Sequence, residues 1–347
     1  QTRGASYFQS LDWLQAYWRH YGHRQQLRVL VVRAGDEPLG IVPLVLRTER
    51  TRLGPLRVLT YPLDHWGVFY GAIGPQAAAT LTAACKYLRA RRRDWDVLSL
   101  RWVHRDAHDH GRTEHAMRFA GLPPCEEIGE RAASIDLTGA WQQYWASRGS
   151  HWRNNVGRCE RKLAEQGGAT YSRYRPQGAA FGDADPRWDL FETCVELAGR
   201  SWQGAATDGT TLSHEAVRDY LRDAHAAAAH AGGVDLNLLY LGDRPAAFAY
   251  NYYYRGHVFG LRMGYDPSVC SAGAGTVLMR RMIADSFERG DHMFELGPGS
   301  LAAKRPWQTS LETSYRYSHF AAAPRAQAMR LRRYMKNWLD SGALTSR

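Results

Sequence analysis

The sequence predicts an α/β (α+β) protein made of two successive units of similar layout. Three observations carry that reading. The chain has 347 residues, about two domains' worth. Hydrophobic residues make up 44% and charged residues 23%, ordinary globular usage that excludes disordered and low-complexity classes. Helical and strand-like runs follow one another in a similar order twice, without an evident sequence repeat. The units are expected at 1–130 and 131–320, followed by a basic C-terminal helix over 321–347.

In the first unit, Leu11, Leu14, Tyr17, Trp18 and Tyr21 recur at helical spacing and predict a helix over Phe8–Tyr21. Leu27–Arg33 and Leu39–Leu46 flank the turn-forming Ala34-Gly35-Asp36-Glu37-Pro38, a hairpin signal. Leu56–Tyr61 and Val97–Trp102 read as strands, Gln76–Arg91 and Glu114–Ala120 as helices. In the second unit, Ala133–Leu137 opens with a strand. Helices follow at Trp141–Ala146 and His151–Gln166, then a strand at Ala169–Tyr174. Asp185 and Ser213 are expected to cap helices Asp185–Trp202 and Ser213–Ala231. Val234–Leu241, Ala246–Tyr254 and His257–Gly264 form three strands in series. Helix Thr276–Arg289 and strands Asp291–Leu296 and Thr313–Phe320 complete the unit.

Five cysteines, odd in number and without a CxxC pair, argue against a disulfide framework or structural zinc. No apolar run approaches the ~20 residues of a membrane span. A cytoplasmic protein is expected, although the chain begins at Gln1. His104, His108, His110 and His115 read as a solvated loop, and no metal is expected. No nucleophile motif surrounds a cysteine, though Cys270 lies beside the glycine loop.

The most informative stretch is strand, small-residue loop, helix: Phe259 to Pro267, then Ser271-Ala272-Gly273-Ala274-Gly275-Thr276. Small residues let a ligand approach the backbone, and the first N–H groups of a helix carry partial positive charge, so the segment fits a phosphate or pyrophosphate. It is not a Walker A loop, having no GK[ST], and it lacks the third glycine of a dinucleotide fingerprint. The next strand carries Glu295 and runs into Gly297-Pro298-Gly299, then Lys304 and Trp307.

Gly264-Tyr265-Asp266-Pro267, Gly273-x-Gly275-x-x-Leu278 and the Gly297-Pro298-Gly299-x₄-Lys304-x₂-Trp307 tail resemble the GNAT-superfamily N-acyltransferases. More specifically they resemble the CelD-like (cellulose-biosynthesis-type) branch, related to FemAB-type aminoacyltransferases. Trp13-x₄-Trp18, Gly40-Ile41-Val42-Pro43-Leu44 and the Leu241–Phe248 hairpin agree, so the resemblance spans roughly residues 6–320. It implies two tandem GNAT-like domains, each a mixed central sheet flanked by helices, with acetyl-CoA or a longer acyl-CoA as co-substrate in the second. The implied donor site is Arg262, Met263, Gly264, Ser271, Ala272, Gly273, Ala274, Gly275 and Thr276. The family loop commonly begins with Gln or Arg. Here Ser271 or Ala272 stands in that region, which leaves backbone N–H groups as the phosphate donors.

Acyl transfer to an amine needs a base, donors for the oxyanion and a proton for the leaving thiolate. Glu295 is the only acid in the apolar segment Met293–Leu296 and is the candidate base; apolar surroundings would raise its pKa. The alternative is a strand-end Glu facing solvent or pairing with Arg262. Tyr265 is the candidate acid, and Asp266 reads as a loop cap. Lys304, which could contact phosphate or acceptor, and Trp307, with Trp152 and Arg153 of the basic helix, are the candidates for substrate binding.

The net charge of +11 is unevenly spread. Residues 148–175 carry seven basic against two acidic residues, and 321–347 six against one, whereas 176–320 carry 13 against 17. The charge therefore marks two patches rather than a general polyanion binder. The first would serve CoA's 3′-phosphate, an anionic acceptor or a tRNA; the second, a peripheral membrane surface or the protein's own fold. The expected activity is direct transfer from acyl-CoA to an amine such as an amino sugar or amino-acid-like metabolite. The alternatives are a FemAB-like, tRNA-dependent aminoacyltransferase and a catalytically degenerate scaffold that binds a partner.

Overall fold

The computed structural model describes residues 6–62, 66–67, 71–205, 211–269 and 273–344. The chain divides into two units, one of Gln1–Gln9, Tyr17–Glu130 and Glu312–Arg347, the other of Ser10–Ala16 and Arg131–Leu311.

In chain order, the elements up to residue 136 are α1 (Leu11–Tyr21), β1 (Gln25–Ala34), β2 (Glu37–Thr51), β3 (Gly54–Thr60), α2 (Ala77–Ala90), β4 (Val97–His104), α3 (Arg112–Phe119) and β5 (Cys125–Asp136). Next come α4 (Trp141–Ala146), α5 (Ser150–Glu165), β6 (Ala169–Tyr174), α6 (Trp188–Arg200), α7 (Glu215–His230), β7 (Val234–Leu241), β8 (Arg244–Tyr254) and β9 (His257–Tyr265). The last are α8 (Ala274–Glu288), β10 (Met293–Pro298), α9 (Leu301–Lys304), β11 (Ser310–Phe320) and α10 (Pro324–Leu344).

In the first unit, β1, β2 and β3 form an antiparallel meander, β3 pairs parallel with β4, and β4 pairs antiparallel with β11. The β1–β2 hairpin turns on Gly35-Asp36, with Gly35 at φ +60, a conformation glycine adopts without penalty. Leu56, Val58, Val97 and Phe320 are buried with Ala326 and Met329 of α10, so the start of the basic C-terminal helix docks on the unit's own core. Gln327 fixes it by donating to the Phe320 and Ala321 carbonyls, and Arg333 pairs with Glu127.

In the second unit the strand order is β5-β10-β9-β8-β7-β6. The β7–β9 meander is antiparallel, and β9 pairs parallel with β10 after the α8 crossover. One sheet face buries Leu239, Ala247, Ala249, Val258, Phe294 and Leu296 against Val277, Leu278 and Ile283 of α8. Strand alternation sends Phe248, Tyr250 and Tyr252 to the other face, where Trp13 packs edge-on against Tyr220 and Tyr252.

Several sequence expectations are corrected. The α6 N-cap is Arg187 rather than Asp185, whose carboxylate instead accepts from the Arg187 N–H. The α7 N-cap is His214 rather than Ser213, its Nδ1 accepting from the Ala216 N–H. Strand β5 begins at Cys125, before the apolar stretch that marks it in sequence; its first seven residues are not buried and show no hydrophobic alternation. His104 is not in a solvated loop: it ends β4, is buried, and is followed by a π-helical turn over Arg105–Asp109. Among the described residues Cys85, Cys125, Cys159 and Cys194 are free, and no helix is long and apolar enough to cross a membrane.

Candidate functional site

The site is built where β9 and β10 part. Three register pairs join them: His257–Met293, Val258–Phe294 and Phe259–Glu295. Beyond Phe259–Glu295 no pair follows, although β9 runs on to Tyr265 and β10 to Pro298. A bulge at Leu261 helps turn β9 aside, since Asn251 opposes Gly260 and Tyr250 already opposes Arg262. The apex is made of glycines. A Cβ on Gly260 would come within 3.0 Å of the Glu295 carbonyl oxygen, and one on Gly297, at φ +73, within 2.9 Å of the Gly260 oxygen.

Glu295 is therefore the last paired residue of β10. It is only 6% exposed, which excludes the solvent-facing alternative. Phe294 and Leu296 point to the α8 face, so Glu295 points to the opposite one, with Phe259 and Arg262. Lys304, on the short helix α9, donates to the carbonyls of Gly297 at 2.9 Å and Pro298 at 2.8 Å and so fixes the divergent end of β10. Burial pushes the Lys304 ammonium down to about 8; the Glu295 charge opposes that shift and the Arg262 charge adds to it. Acid, Lys and Arg thus share one electrostatic neighbourhood at the fork.

The open edge of β9 is the second component. The Asp266 N–H donates to Ala246 O, so by antiparallel alternation Gly264 and Arg262 bond to β8 while Met263 and Tyr265 turn their backbone groups to the open edge. Gln203 reaches this edge: its Nε2 donates to Met263 O at 2.7 Å, and its buried Oε1 finds no hydrogen-bond partner among the described residues. Sequence reasoning missed Gln203, because it lies some sixty residues from the strand it serves and follows no motif.

The third component is the head of α8. Gly273 caps it at φ +90, where a Cβ would lie 2.5 Å from Cys159 Sγ. The Thr276 and Val277 N–H groups bond to Gly273 O, which leaves those of Ala274 and Gly275 heading the helix. Gly275 lies against the Tyr265 ring and the Met263 methyl. Ser271 and Ala272, expected in the donor loop, and Cys270 lie outside the described residues.

The remaining expected residues divide. Tyr265 is 40% exposed at the end of β9. Asp266 caps the loop as read from sequence, accepting from Ser268 N and Oγ, and these bonds hold its carboxyl below the usual range. Trp307 is a core residue: buried, stacked with Trp145, met edge-on by Trp152, and anchored through its carbonyl by Tyr144. Trp152 and Arg153 are half-buried on α5, and neither the indole Nε1 nor the guanidinium Nε finds a hydrogen-bond partner among the described residues.

A family model described as an acetyltransferase (GNAT) domain matches residues 150–305, which contain all three components of the fork. No curated protein sequence matches the chain. Among solved structures, that of FemX is similar over 94% of this chain and 95% of its own, at 11% identity and a TM-score of 0.63. The C-terminal domain of a putative lysylphosphatidylglycerol synthetase from Agrobacterium fabrum is similar over 91% and 95%, at 12% identity and a TM-score of 0.57. The L-PGS structure from Bacillus licheniformis is similar over 93% and 96%, at 12% identity and a TM-score of 0.53. The fold of the whole chain is thus shared with these proteins.

Proposed function

Taking the chain as a GNAT-type acyltransferase, we propose that it moves an acyl group from acyl-CoA to an amine within a single ternary complex, at the β9/β10 fork. The observation that carries this is the placement of Glu295, a buried carboxylate at the last paired position, on the sheet face away from α8. Donor and acceptor then approach from different sides. The diphosphate of the donor lies at the α8 head, on the Ala274 and Gly275 N–H groups, where the helix dipole favours anions. Its amide-bearing arm follows the open edge of β9. There Gln203 Oε1, buried and without a partner among the described residues, accepts an amide N–H, and the outward backbone groups of Met263 and Tyr265 supply the remaining bonds. The amine enters from the Glu295 face and loses its proton to that carboxylate as it attacks the thioester carbonyl. Tyr265 returns a proton to the departing thiolate. Lys304 acts through the backbone, holding β10 away from β9, and adds positive field beside Glu295.

A second reading has an aminoacyl-tRNA as donor, as the FemAB resemblance implies. What favours it is α5, whose Arg158, Arg161 and Lys162 are exposed within two turns. The two are separated by ligand: an acyl-CoA user is stabilised thermally by CoA, whereas a tRNA user binds RNA with a steep negative slope in log salt. If neither ligand binds, the degenerate-scaffold alternative prevails.

A further inference from the structure

We propose that the first unit binds one divalent transition-metal ion of the Zn²⁺ type through His104, His108 and Glu312. The three residues come from three different elements. His104 is the last residue of β4 and His108 lies on the π-helical turn that follows it; Glu312 is near the start of β11, more than two hundred positions away in sequence. The fold brings them together. His104 Nδ1 is 3.1 Å from Glu312 Oε2. The turn carries His108 back over His104, so that the two imidazoles stack at 5.3 Å with an interplanar angle of 11°. One donor atom from each residue lies within 4.8 Å of the others, and among the described residues no other cluster of histidine, cysteine and carboxylate groups does this.

The surroundings fix the turn. The Asp109 carboxylate accepts from both the N–H and the hydroxyl of Thr113, and Arg112 donates to the His108 carbonyl. On the other flank Arg105 is held by Glu126 and the Tyr315 hydroxyl. His104 is buried, whereas His108 and Glu312 are half-buried. A tetrahedral ion with bonds of about 2.0–2.1 Å sets its donor atoms about 3.4 Å apart, so donor atoms now up to 4.8 Å apart must draw in and the His108 ring must turn out of its stack with His104 to aim its lone pair at the ion. Two imidazole nitrogens and one carboxylate oxygen suit Zn²⁺, Co²⁺, Ni²⁺ or Cu²⁺ and not Mg²⁺ or Ca²⁺, which take oxygen ligands. Three protein ligands leave a fourth position for water or a small ligand.

The inference is independent of which acyl donor the second unit uses. The test takes the full chain without a histidine tag, strips it by dialysis against a chelator, and titrates it with Co²⁺ alone while visible ligand-field absorption is followed. Zn²⁺ competition and equilibrium dialysis then give affinity and stoichiometry. The expected result is one ion per chain with tetrahedral-type absorption. His108→Ala and Glu312→Gln should each weaken binding about tenfold or more, while His115→Ala on α3 leaves it unchanged. Both test positions are partly exposed, and thermal melting without metal verifies that each variant is folded. Absence of stoichiometric binding, or wild-type affinity in both His108→Ala and Glu312→Gln, would overturn the proposal.

Discussion

The two units repeat one connection, an antiparallel meander, a crossover helix and a parallel strand, yet their forks differ. In the second unit β9 continues past its last pair with β10 and leaves an open edge. In the first, β3 pairs with β4 through Val58–Val97, Leu59–Leu98 and Thr60–Ser99, and then ends at Thr60. The position of Glu295 is taken by Ser99, buried and 3.3 Å from the Ser318 hydroxyl. The crossover helices differ as well. The approach to α2 is tied to β2 by reciprocal bonds between Ile41 and Ile73, with Gly74, at φ +133, so close to Gly40 that a Cβ would come within 2.6 Å of it. Topology supplies the fork; a carboxylate, a β9 edge that β10 does not pair and a glycine-capped helix head make it a candidate site.

The sharpest way to break this comparison is to exchange the residues that distinguish the forks. Glu295→Gln should lower kcat/KM by about 10²–10⁴-fold, the range for loss of a general base, in a variant that thermal melting verifies as folded. Ser99→Ala should leave kcat/KM within about twofold, because no catalytic step runs through it. Full activity in Glu295→Gln removes Glu295 as the base.

The charge networks of the two units provide a second contrast. Arg173 and Asp235 are almost wholly buried, at 1% and 0% side-chain exposure, and are joined by Arg175, Asp285, Asp291 and Asn251. The Arg101–Glu49 pair of the first unit keeps 20% and 28%. Asp235→Asn should therefore cost about 3–5 kcal/mol, the penalty of breaking a buried pair, and Glu49→Gln clearly less, as read by denaturant unfolding. Burial alone would raise the Asp235 pKa, but Arg173 and Arg175 pull it down to about 2. A depressed carboxylate pKa stabilises the fold above its unfolded value near ~3.9 and loses that contribution as the pH falls through about 2. Acid unfolding of the wild type should carry this step, and Asp235→Asn should lack it.

Smaller effects test the helix head and the strand end. Gly273→Ala places a methyl group against Cys159 at a positive φ. It should raise the donor KM about tenfold, taking ~1.4 kcal/mol of lost phosphate contact, with a smaller change in kcat. Lys304→Met removes the two bonds to the Gly297 and Pro298 carbonyls. Because the folded-state pKa is lowered to about 8, the wild type should gain stability relative to Lys304→Met as pH rises from about 8 to about 10.4, the free-lysine value. Parallel melting curves across that range would remove Lys304 from the electrostatic account.

How far the sequence is legible follows the same physical line. Local signals read well: β7, β8 and β9 have alternating or continuous apolar runs, Gly35-Asp36 marks the first hairpin, and Gly273 marks the α8 head. Glu295 stands out as one acid in an apolar strand. What escapes is set by distance in the chain. Residues 10–16 belong to the second unit and 312–347 to the first, which no linear reading of composition shows. Gln203 meets Met263, and Glu312 meets His104, only through the tertiary fold. Trp307 sits in a plausible motif, yet its burial becomes visible only when α4 and α5 close over it.

The most direct measurement is the stoichiometry of donor binding, by isothermal titration of acetyl-CoA, or a longer acyl-CoA if acetyl is too weak, into the full chain. One site per chain, weakened by Gly273→Ala and unaffected by Ser99→Ala, is the expected result. Two equivalent sites, or no site for any acyl-CoA, would contradict the assignment of the donor to the fork of the second unit.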